Sequence, residues 1–75
     1  LGRPIMNDIR LIAFGHKVRA IRKTKGLSQE ALADLSGIDR SYMGHIERGQ
    51  KNVTLLKIYQ IADALNVSVS KFFDC

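Results

Sequence analysis

The chain has 75 residues, 45% of them hydrophobic and 25% charged, a net charge of +5 and a pI of about 9.8. That length carries one domain rather than two, and that balance of side chains belongs to a globular chain, not a disordered one. No apolar run approaches the roughly 20 residues of a membrane helix, the start LGRPIMNDIR lacks the apolar stretch of a secretory signal, and the single cysteine, Cys75, excludes an internal disulfide and points to the cytoplasm.

In chain order, Met6 is a candidate initiator. Residues 1–6 are then an N-terminal extension, residues 1–5 being an addition to the native chain, and 7–75 form the domain. The only proline is Pro4 and β-branched alternation is absent, so the periodic signal is helical throughout. The first helix is expected from Asn7 to Lys25, with Asn7 or Asp8 as its N-cap. Leu11, Phe14, Val18 and Ile21 fall at spacings of three and four and make one apolar stripe, which Ile5, Ile9 and Ile12 extend. Lys23, Lys25 and Gly26 form a stop signal, cations at the negative helix end followed by a residue that tolerates a left-handed turn. Ser28 caps a second helix with Glu30 in its first turn and Ala31, Leu32 and Leu35 as its buried face.

Gly37 ends that helix after about nine residues. Asp39 caps a third, which reaches Gly49 with Met43 and Ile46 inward. After a polar loop from Gln50 to Val53, Thr54 caps a fourth helix, whose core stripe is Leu55, Ile58, Ile61, Ala62 and Leu65, with Asn66 as its C-cap. Ser68 opens a short fifth helix that ends at Phe73, with Phe72 in the core. The expected fold is all-α, five helices around one core.

A basic balance suits nucleic acid or another anionic partner. The surplus is uneven, however. Residues 1–26 hold seven Lys or Arg against one acid, whereas residues 27–75 hold five against six. Charge alone would therefore point at the first helix, where a solvated face explains the same residues. The face of the third helix is more informative. Arg40, Ser41, Gly44, His45 and Arg48 share one side, opposite Met43 and Ile46. A helix with such a polar, basic side fits the major groove, where an Arg can bond guanine through two hydrogen bonds.

The blocks GLSQEALA (26–33), SGIDRSY (36–42) and IERG (46–49), with LLKIYQIADALNV (55–67) downstream, resemble the helix-turn-helix of the phage Cro/C1-type (XRE) regulators. The resemblance covers about residues 9–73. DRSY, IERG and then KNVTL look especially like controller proteins of restriction-modification systems, although the proline common near Val53 and Thr54 in the family is missing. The resemblance implies a lambda-repressor-like DNA-binding domain that regulates transcription from double-stranded DNA, with no cofactor and no metal, and RNA polymerase as a further candidate partner. It places Arg40, Ser41, Gly44, His45 and Arg48 at the bases, the second helix of the motif entering the groove while the first crosses the backbone. It also assigns Gln29 to a phosphate, at a helix end suited to anions, and pairs Arg22 with Glu47 as a partly buried ion pair.

Ser28, Lys51 and Asn52 are the other phosphate candidates, and Ser28 is also the cap. Tyr42 either reaches the backbone or covers the edge of the core. Leu56, Tyr59, Val69 and Phe73 lie outside the core stripes. Together they would make the face of a homodimer on a palindrome; singly they would be ordinary exposed apolar residues. An enzyme is disfavoured, since His16 and His45 are far apart in sequence and no metal-ligand spacing occurs. A protein-interaction module of helix-turn-helix shape is the remaining alternative, although it would want apolar anchors where this chain has polar ones.

Overall fold

In the computed structural model, which describes residues 8–73, each α-helix begins where a side-chain oxygen closes its first turn. Four helices result: α1 (Ile9–Thr24), α2 (Gln29–Ser36), α3 (Arg40–Glu47) and α4 (Leu55–Leu65). Asp8 accepts from the Arg10 N–H at 2.8 Å, Ser28 from Ala31 at 3.0 Å, Asp39 from Tyr42 at 3.2 Å and Thr54 from Lys57 at 3.3 Å. Each such cap contributes about 1 kcal/mol. Asp8 also accepts from the Arg10 guanidinium, and these bonds hold its carboxyl down at about 2.

The turn between α2 and α3 depends on Gly37. Its φ of +72° lets the chain reverse at once, and the following N–H, of Ile38, returns to the Ala33 carbonyl at 3.0 Å. Ile38 is buried in the turn. Only Gly37, Ile38 and Asp39 separate the two helices.

α1 and α4 supply the floor on which this pair lies. Phe14, Val18, Leu32, Met43, Ile46, Ile61, Leu65 and Phe72 form one continuous core. Phe72 meets Phe14 edge-on, with ring centroids 5.3 Å apart. α1 crosses α3 at Gly15, where a Cβ would lie 2.6 Å from the Glu47 carbonyl oxygen and also strike that of Ile46. One turn further on, Gly49, in the left-handed region, leaves room for the Ile12 backbone.

Several expectations change. The fifth helix is a 3-10 turn, Val69–Phe73, in which Lys71 N–H reaches back to Ser68 by the tighter pattern that short pieces favour. Leu35 is 61% exposed. The place one turn beyond Leu32 belongs to Ser36, a small residue whose hydroxyl donates to the Leu32 carbonyl while Gln60 of α4 donates to its own. Leu55 is also exposed, one turn before Ile58, so it begins α4 outside the core. Ile9 is exposed, whereas Leu11 and Ile21 are half-buried. Asn7, Cys75 and residues 1–6 lie outside the described residues.

Gly15→Ala should cost about 1–3 kcal/mol by overpacking against backbone, each kcal/mol lowering Tm by roughly 4–8 °C in a domain of this size. Ala20→Ser, on the exposed side of the same helix, should stay within about 0.5 kcal/mol. Thermal melts of the two variants check this.

Candidate nucleic-acid interface

α3 has a side that belongs to the core and a side that does not. Met43 and Ile46 are fully buried under it. At its last residue Glu47 receives three donors. Arg22 of α1 reaches it through Nε at 2.7 Å and Nη2 at 3.0 Å, and Gln29 of α2 donates through Nε2 at 3.0 Å. The third nitrogen of Arg22 donates to the Leu27 carbonyl at 2.8 Å. The side chains of the ion pair are 9% and 2% exposed, which separates it from ordinary surface bridges. One ion pair therefore ties α1, α2 and the linker between them to the end of α3.

On the opposite side, Arg40, Ser41 and Arg48 are exposed and His45 is half-buried. Gly44, expected at the bases, is not open. It is buried, and a Cβ there would meet Gln29 Oε1 and Arg48 Nη1, each at 3.2 Å. The room it leaves is taken by these two side chains. Arg48 Nε donates to Gln50 Oε1 at 3.0 Å. His45 Nδ1 lies 2.9 Å from that oxygen and 3.0 Å from Arg48 Nη2. A single ring nitrogen serves only one of these, as an N–H donating to Gln50 or as a lone pair accepting from Arg48. The three side chains thus engage one another at the far end of α3, and Gln50 is a member that the sequence did not mark.

The flanks of α3 differ. Toward α2, Arg40 Nη1 stands 2.9 Å from Glu30 Oε1. The Ser28 hydroxyl there is occupied by capping and the Gln29 side chain by Glu47, and backbone N–H groups at a helix start of this kind favour anions. Toward α4, Tyr42 is half-buried against the core, and two ammonium groups stand over its ring: Lys51 from the loop at 5.6 Å and Lys57 from α4 at 5.4 Å. Asn52 is exposed in the same loop. Lys57 lies on α4, outside the helix-turn-helix segment, and only folding brings it to Tyr42.

Leu56, Tyr59 and Phe73 are exposed, at 71%, 50% and 59%, while Val69 is half-buried on the core. Phe73 stacks on Phe14 with centroids 5.8 Å apart. Among the described residues no cluster of His, Cys, Asp and Glu could hold a metal ion, and no helix is long and apolar enough to cross a membrane.

A short capped helix, a left-handed glycine turn and a second helix pinned across the first define a helix-turn-helix protein. The family profile described as Helix-turn-helix matches residues 18–72, and the chain belongs to this family, the XRE-type DNA-binding transcription regulators. It is 47% identical over 64 residues to control protein C.SmaI of Serratia marcescens, which covers 85% of this chain and 75% of that protein. Control protein C.BamHI of Bacillus amyloliquefaciens is 46% identical over 69 residues, 91% of this chain and 84% of that one. The crystal structure of the restriction-modification controller protein C.AhdI from Aeromonas hydrophila is similar at a TM-score of 0.86 and 50% identity, over 88% of this chain and 100% of that one. These relatives are regulators, not enzymes.

Arg22→Ala and Glu47→Ala should each destabilise the domain by about 3–5 kcal/mol, because either leaves a buried charge without its partner. The double variant should cost clearly less than the two together. Denaturant unfolding of all four chains measures the coupling, and strict additivity would remove it.

Proposed function

We propose that this regulator binds a palindromic operator as a homodimer and serves as the controller of a restriction-modification system. One observation carries the reading: the outward side of α3 is polar and basic while its inward side is locked by a buried ion pair. A rigid helix with no apolar anchor on its free side suits base edges better than a protein groove. That weighs against an interaction module of the same shape.

In this reading Arg40 pairs with a guanine, Ser41 bonds a base edge as donor or acceptor, and His45 and Arg48 give up their mutual contacts to reach the DNA. Gly44 lets Gln29 and Arg48 close over the helix. The phosphates of one strand meet the start of α2 at Ser28 and Gln29. Those of the other meet Tyr42, Lys51 and Asn52, joined here by Lys57. A helix about 10–12 Å across fills a major groove of about 12 Å, so a cationic or N–H-rich flank on each side is the arrangement such docking needs.

The dimer forms through the outward face of α4 and the C-terminal turn. Leu56, Tyr59, Val69 and Phe73 are the expected positions, and exposed Leu55 beside Leu56 and Tyr59 enlarges the patch. A two-fold axis there would set the recognition helices about 34–36 Å apart. Regulation then follows protein concentration through dimerisation, in the cytoplasm, with RNA polymerase as the machinery governed.

Selection from a random duplex pool should return inverted half-sites at that spacing. On the enriched duplex, Arg40→Ala should lose about 1–3 kcal/mol of discrimination. Lys51→Ala and Lys57→Ala should weaken every sequence alike and each flatten the salt slope by about 1. Sedimentation at micromolar concentration should show a dimer for the parent chain and a monomer for Tyr59→Lys. A monomeric parent would count against the dimer, and an affinity indifferent to salt would count against DNA.

A further inference from the structure

Glu30 stands in the first turn of α2, and its Oε1 lies 2.9 Å from Nη1 of Arg40, the first residue of α3. The two side chains are 62% and 65% exposed. Pairs this open add little to stability, so holding the helices together is not what the contact does best. What it does is local. It bridges the two helices of the motif on the flank of α3 that faces α2, and it engages one terminal nitrogen of Arg40.

We propose that Glu30 determines specificity by holding Arg40 as a reader of bases and keeping it off phosphates. This rests on the DNA reading of α3 given above. A free guanidinium takes a phosphate as readily as a guanine edge, and a phosphate contact carries no sequence information. A carboxylate beside the guanidinium changes that balance. It cancels much of the positive charge, which weakens attraction to an anionic phosphate far more than bonding to the neutral O6 and N7 of guanine. It also limits the rotamers of a long side chain, so less freedom is lost when the base is engaged. Finally, the carboxylate sits beside the anion-binding start of α2. Swinging Arg40 toward the strand held there would bring phosphate oxygen against Glu30, and such like-charge juxtaposition is how wrong ligands are rejected. An acid in the first turn also suits the helix dipole, so the test must separate the two roles.

Glu30→Gln keeps the shape and removes the charge. Its affinity is compared with the parent's on two probes at one salt concentration: a duplex enriched from a random pool and a duplex of random sequence. Both are repeated with Arg40→Ala. Affinity for the random duplex should rise about 3- to 10-fold, with a salt slope steeper by about 1. The enriched duplex should gain clearly less, so discrimination narrows. With Arg40→Ala already present, Glu30→Gln should narrow it no further. An equal rise on both duplexes in both backgrounds would reduce Glu30 to simple repulsion and overturn the proposal while leaving DNA binding intact. A lower Tm with unchanged discrimination would make it a dipole partner only and overturn it equally. A parent chain that does not distinguish the two duplexes would overturn this proposal together with the operator reading on which it rests. In the absence of DNA, NMR relaxation of the Arg40 Nε–H should show a less ordered side chain in Glu30→Gln than in the parent, and equal order would deny that the pair restrains this side chain.

Discussion

The two-pronged bond between Arg22 and Glu47 is the constraint on which the rest of the arrangement depends. A charge inside a small core is costly unless it is matched in both distance and direction. Here the match draws on every element around it: Arg22 from α1, Glu47 from α3, Gln29 from α2 and the Leu27 carbonyl from the linker. Moving any one of them strands a charge or a polar group. The pair therefore fixes the angle at which α3 crosses the domain, and Gly15 allows the crossing to be close enough for the bond to form. Apolar packing at Met43 and Ile46 would hold α3 down but would tolerate rotation. The directional bond does not.

Once α3 is pinned on one side, its other side is free for recognition, yet it is not bare. Arg40 leans on Glu30, and His45, Arg48 and Gln50 bond among themselves. These contacts are exposed and weak, so a nucleic-acid surface can replace them at little cost. They also keep long side chains from wandering. In the proposed reading, stability and recognition are thus divided between two kinds of polar contact: one buried and expensive to break, the other open and easily exchanged. Gln29 belongs to both in the proposed reading, since its side chain supports Glu47 while its backbone begins the helix proposed to meet a phosphate.

The outer face of α4 answers a different need. A domain this small buries a modest share of its surface. Leu55, Leu56 and Tyr59 lie together outside the core, and apolar surface of this kind on a small regulator is most economically covered by a second copy. The proposed two-fold arrangement gives recognition its range as well, because one short helix reads only a few base pairs.

Local chemistry was readable from the residues alone. Asp8, Ser28, Asp39 and Thr54 announce helix starts because a cap needs only its own next turn, and Gly37 announces the reversal because few other residues accept its backbone angle. Phe72 was placed in the core correctly; Leu35 and Leu55 were not, since over one or two turns periodicity does not say which side a neighbour will cover. The Arg22–Glu47 pairing came from family resemblance, as nothing in either local stretch points to the other. What the sequence by itself determined was the four α-helices, the turn and the polar side of α3, all set by neighbours within four residues. The tertiary structure alone decided that Gly15 must be glycine, that Gly44 is covered, that Gln29 serves Glu47, that Glu30 meets Arg40 and that Lys57 joins Lys51 at Tyr42. Each of these depends on atoms from separate elements meeting within a few ångströms, and that distance exists only after the helices have packed.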